Sequence, residues 1–147
     1  MNSDLLTLVL DEIIPPRADE NIPGAGSLGV GALVQQAAAE TPELGQLLSL
    51  GLSAVDDATR KRGADGFAAL AQEKRADVLR EVDKTLPVFI QTLLTFACVG
   101  YYTAEPVLVA IKGDARPPHP DGYEMEYEDP SPMLGQVLAR GRIYREC

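Results

Sequence analysis

The sequence has no tryptophan, one histidine and two cysteines, and aromatic residues make up only 5% of its 147 positions. Each shortage excludes something. With His119 as the sole histidine, a multi-histidine metal site cannot be assembled. His119 lies between prolines in "PPHPD", with no serine or cysteine that stands out as a nucleophile beside it, so it reads as a surface-loop residue. Cys98 sits in an apolar run and Cys147 ends the sequence, with no Cys-x-x-Cys pair. Two such residues neither build a disulfide scaffold nor hold zinc. They read as one buried thiol and one terminal thiol, with a Cys98–Cys147 bridge as the alternative.

Positive charge is also scarce. Thirteen Lys and Arg face 22 Asp and Glu, for a net charge of -9. The basic clusters are short, "RKR" at 60–62 and "RGRIYR" at 140–145. Binding to nucleic acid needs a basic face for phosphate contacts, so that class of partner is excluded. Long apolar runs are lacking too. "LPVFIQTLLTFACVG" at 86–100 carries Gln91, Thr92 and Thr95 and falls short of the ~20 apolar residues a spanning helix needs. The opening "MNSDLLTLVLDEIIPP" has no basic segment or twin arginine and is not read as a signal peptide. As it stands, the sequence places the chain in the cytoplasm, or in the periplasm beside an exported partner.

What is present is helix after helix. Leu5, Leu6, Val9, Leu10, Ile13 and Ile14 form an apolar stripe behind Ser3, and Pro15 and Pro16 end it. A second helix is expected over 28–40. "ETPELGQLLSLGLSAVDDATRKRG" supplies Thr41 as cap, Pro42 at the first helical position and Gly63 as stop, with Leu44, Leu47, Leu48, Leu52 and Val55 buried. Helices follow over 72–84, burying Val78, Leu79 and Val82, and over 87–102 behind Pro87. A shorter one, capped by Thr103, ends at Gly113. "DARPPHPDGYEMEYEDPSP" then contains five prolines and cannot be helical. A last short helix starts after Ser131 and Pro132. The expected architecture is all-α: a single-domain bundle of five to six helices over 1–113, with an extended proline-rich arm and short helix over 114–147.

"NIPGAGSLGVGALV" at 21–34 contains G-x-G-x-x-G at Gly24, Gly26 and Gly29. A dinucleotide fingerprint must follow a buried strand, and here charged "RADENIP" precedes it. The glycines are read instead as a close turn that starts the second helix. Asp11/Glu12 and Asp56/Asp57 are adjacent, so their side chains diverge on a helix and form no catalytic pair; both read as solvated. Glu124, Glu126, Glu128 and Asp129 lack the glycine and spacing of a calcium loop. Their alternation with Met125 and Tyr127 suits an extended segment lying on something apolar. All five tyrosines follow residue 100. Tyr101, Tyr102, Tyr123, Met125 and Tyr127 are therefore the candidate partner-binding residues, since tyrosine joins a large apolar area to a polar tip. The alternative is that the arm covers the bundle's own core. No catalytic, cofactor-binding or metal-ligating residue is expected in this chain.

In order along the chain, "LLTLVLDEIIPP", "NIPGAGSLGV", the leucine-rich helix, "GFAALAQEKRADVLREV", "FACVGYYTAEPVLVAI" and "RPPHPDGY" resemble the gluconate 2-dehydrogenase subunit 3 family. The resemblance covers about Leu5 to Tyr123. It implies a small, helical, non-catalytic subunit that supports maturation or export of a large flavin-containing dehydrogenase of the glucose-methanol-choline type. FAD would then reside in that partner, and a cytochrome subunit would take the electrons. The alternative class is a self-contained bundle holding a small apolar ligand between its helices.

Overall fold

The computed structural model describes residues 3–112 and 131–141. Seven α-helices lie among them: α1 (Ser3–Ile13), α2 (Val30–Glu40), α3 (Pro42–Arg60), α4 (Gln72–Thr85), α5 (Pro87–Tyr102), α6 (Glu105–Lys112) and α7 (Ser131–Ala139). No strand occurs among the described residues, where an isolated antiparallel bridge joins Arg17 and Ile22. The all-α expectation holds, with α1 to α6 forming the bundle. The arm over 114–130, with His119, Tyr123, Met125 and Tyr127, lies outside the described residues, as does Cys147.

Local chemistry explains most boundaries. Pro42 opens α3 and Pro87 opens α5, each at a position where the missing N–H would be unsatisfied anyway. Past the end of α3, Gly63 takes a left-handed φ of 74° and its N–H reaches the Arg60 carbonyl. Arg62 adds to that end by donating to the Ala58 carbonyl and pairing with Glu81 of α4 at 2.9 Å. Two capping assignments differ from expectation. Thr41 precedes α3 in an extended conformation without a side-chain cap bond. Thr103 donates its hydroxyl backward to the Val99 carbonyl at 2.7 Å, closing α5 rather than opening α6.

α5 is the centre of the bundle and packs on α1, α2, α3 and α4. Phe89, Leu93, Ala97 and Tyr101 recur every four residues along its buried side. Phe89 is fully buried and lies directly over Gly51 of α3, where any side chain would overlap its ring. Leu6, Val9 and Leu10 from α1, Val30 and Val34 from α2, and Val78 and Val82 from α4 close the core around it. Between α3 and α4, Phe67 opens a single 3-10 turn and is only 3% exposed.

Candidate functional site

The glycine loop is built against α1. Asp11 of α1 accepts a hydrogen bond from the Gly26 N–H at 2.8 Å, tying together residues 15 apart. A methyl group at Gly24 would overlap the Asp11 carboxylate, and one at Gly26 would overlap the Thr7 carbonyl, so the loop lies on the helix only without side chains. Gly29 then turns the chain into α2 at a φ of 77°. The N–H that a pyrophosphate would need is thus taken by a carboxylate, which would also repel an anion. The loop is preceded by a helix and one 3-10 turn (Ala18–Glu20), not by a strand. The glycines make a turn, as their context in the sequence implies.

Asp11 is therefore not a solvated surface carboxylate. Nor is Glu12, whose side chain is 7% exposed and pairs at 2.9 Å with Arg75 of α4. Arg75 also donates to the Leu70 carbonyl. These three residues line a half-open surface cleft of about 370 Å³ together with Leu8, Pro15, Pro16, Ala68 and Gln72. Their polar atoms are already engaged in holding α1, α4 and the glycine loop together. Adjacency in sequence made Asp11 and Glu12 look exposed. In the fold, their divergence on the helix points one at the loop and the other at α4. Asp56 and Asp57 do remain on the surface, both paired with Arg60 one turn on. Among the described residues, no group of three or more His, Cys, Asp and Glu is placed to hold a metal ion.

The feature that stands apart is the outward side of α5. This helix contains no charged residue at all, and it is apolar on both faces. Such a helix is ordinarily enclosed. Here Val88 (61%), Leu94, Val99 (56%) and Tyr102 (52%) face solvent, with Gln91 and Thr95 between them. The Thr95 hydroxyl donates to the Gln91 carbonyl of its own helix, which leaves little polar demand on that stripe. Leu33 of α2, also exposed, borders α5 at Gly100. On α6, which packs on α5, Val109 and Ile111 are exposed as well. Single exposed aliphatic residues are ordinary, whereas an aligned set on an uncharged helix is not.

The tyrosines divide across this helix. Tyr101 points inward at 6% exposure, and burial raises its phenol pKa above the ordinary value of 10.0, with the neighbouring Tyr102 adding to the shift. Tyr102 points outward, its ring held edge-on against Tyr101 with centroids 5.2 Å apart. Of the two, Tyr102 is thus the one that presents a surface, supported from beneath by its neighbour. Cys98 is a free, half-buried thiol on α5. No helix among the described residues is long and apolar enough to cross a membrane. α5 and α6 reach that length and apolar composition only as a pair, and the pair is bent by 70° at the break between them.

The described residues thus form a small all-α bundle in which Asp11, Glu12 and Arg75 are engaged in holding the helices and the glycine loop together. Residues 2–112 match the family model described as gluconate 2-dehydrogenase subunit 3, and the chain belongs to that family. No curated protein and no solved structure was found to match it.

Proposed function

We propose that the chain is a non-catalytic small subunit of an FAD-dependent dehydrogenase acting on a sugar, sugar acid or related alcohol, and that it stabilises or matures the large flavin-bearing subunit. The observation that carries this reading is the family match over residues 2–112, a span that includes every buried core residue from Leu5 to Leu108. The fate of the polar side chains supports it. Asp11, Glu12 and Arg75, which line the 370 Å³ cleft, are occupied with one another and with backbone. In this reading FAD belongs to the partner, a cytochrome subunit receives the electrons, and the chain resides wherever the assembled complex does, in the cytoplasm or beside an exported partner in the periplasm.

The test is an affinity pull-down of the tagged chain from its native host, with an absorbance spectrum of the eluate. A yellow complex with flavin bands and a large second subunit is the expected result. A colourless preparation of the small protein alone would overturn the reading and favour a self-contained ligand-binding bundle.

A further inference from the structure

We infer that the cleft between α1 and α4 is a binding site for a cationic donor group, a guanidinium or an ammonium, carried on a short apolar stem. The contacts that brace α1, α4 and the glycine loop use only part of each head group lining it. Glu12 is nine-tenths buried, and the Arg75 Nε donates to its Oε2. Its Oε1 has no hydrogen-bond partner among the described residues, where no polar side-chain atom is both shut off from solvent and unbonded. That oxygen is therefore open to solvent, and the space that Glu12 lines is the 370 Å³ cleft. Asp11 lines the same cleft and repeats the pattern, with Oδ1 accepting the Gly26 N–H and no donor on Oδ2. A largely buried carboxylate with an oxygen left unpaired gains when a donor is brought to it. This separates the cleft from an ordinary acidic patch on the surface.

Charge decides the sign of the ligand. Arg75 commits its Nε to Glu12 and its Nη1 to the Leu70 carbonyl, so the cleft sets two carboxylates against one guanidinium that is already paired. A second cleft of about 250 Å³ adjoins it, sharing Leu8 and Ala68, and adds Asp4, Asp56 and Asp65. Asp56 is paired with Arg60, while Asp4 and Asp65 are in no ion pair among the described residues. Clefts lined by one sign of charge concentrate the opposite ion, so an anion is repelled here and a cation drawn in. A bare metal ion is the poorer fit, because no third His, Cys, Asp or Glu among the described residues joins Asp11 and Glu12. Leu8, Pro15, Pro16 and Ala68 supply an apolar wall for the stem, and the volume is that of a small-molecule site. The cation can come from a free guanidino or amino compound, or from an arginine side chain such as Arg142 or Arg145 of this chain.

The test follows the amide resonances of the full chain by NMR as n-butylguanidinium is added, with n-butyrate and n-butanol as its anionic and neutral counterparts. The expected result is saturable binding of the guanidinium, about tenfold or more tighter than either counterpart. Asp11→Asn keeps a carbonyl oxygen for the Gly26 N–H, and Glu12→Gln keeps one for Arg75. Each turns the spare oxygen into an N–H donor, and each is expected to weaken the probe by about tenfold or more. Asp57→Asn, which lies outside both clefts, leaves it unchanged. Melting curves first establish that each variant is folded, and Asp11→Asn alone carries the test if Glu12→Gln is not. Binding to wild type assigns the site to a free cation. Binding that emerges only when Arg142→Gln and Arg145→Gln are introduced together shows that an arginine of this chain fills the cleft, and the chemistry stands. No saturable binding in either protein, equal affinity for the three probes, or binding untouched by Asp11→Asn would overturn the inference. None of these outcomes depends on whether a flavoprotein is recovered with the chain, so the site and the subunit reading fail separately.

Discussion

Asp11 shows how a single side chain can set the course of a loop. Its carboxylate accepts the Gly26 N–H, and the two glycines before the second helix let the backbone come close enough for that bond. Removing the acceptor leaves a partly buried donor unpaired, which costs about 1–3 kcal/mol. Asp11→Ala is therefore expected to lower stability by about that amount in urea denaturation, and Asp11→Asn, which keeps a carbonyl oxygen at the same place, by much less. Equal losses in the two variants would show that charge, not the acceptor, matters there. Tyr101 makes a second residue-scale prediction. Its phenol titrates later in the folded chain than in the unfolded one, because burial disfavours the phenolate. Above the ordinary tyrosine pKa, the unfolded state then binds fewer protons than the folded state, so stability falls as pH rises through and beyond about 10. Tyr101→Phe is expected to flatten that alkaline decline, read as melting temperature against pH. None of these roles was legible in sequence. Asp11 and Glu12 read as solvated because their partners lie 15 and 63 residues away.

At the scale of elements, the helices were largely legible, because proline at the first turn and glycine past the last are local signals that need no neighbour. Pro42, Pro87 and Gly63 all stand where that rule puts them. The stripe of α3 was read with its correct centre, Leu48, Leu52 and Val55, while Leu44 and Leu47 are only half-buried at its start. Less legible was Gly51, in the middle of a helix where glycine is usually a cost. Its reason is the Phe89 ring seated on it from α5. Gly51→Ala sets two effects against each other. Helix propensity favours alanine by about 1 kcal/mol, whereas overpacking a closed core costs about 1–3 kcal/mol. Phe89 is fully buried and a methyl group at Gly51 would overlap its ring rather than a flexible side-chain end, so the second effect is expected to win and the variant to melt lower than wild type. A higher melting temperature would mean that the α3–α5 contact relaxes easily.

For the whole molecule, the family membership points toward a chain that is one subunit of a dehydrogenase complex. The tyrosines of the arm offer a test of it. Tyr123→Ala and Tyr127→Ala are expected to weaken recovery of the flavoprotein more than they lower the melting temperature of the small subunit. Parallel losses in both measurements would place the arm on the bundle's own core. Among the described residues, the buried core runs from Leu5 to Leu108.

By itself, the sequence determined that this chain is helical, where most helices begin and end, and that its glycine loop is a turn into the second helix, because those outcomes follow from residues a few positions apart. It also carried enough ordered motifs to point to the family. Only the tertiary structure decided which side of α5 is core. Periodicity fixes a buried face when apolar and polar residues alternate around a helix, and a helix without charge has no such phase. The packing of α1 to α4 around Phe89, Leu93, Ala97 and Tyr101 supplied it, leaving Val88, Leu94, Val99 and Tyr102 outside.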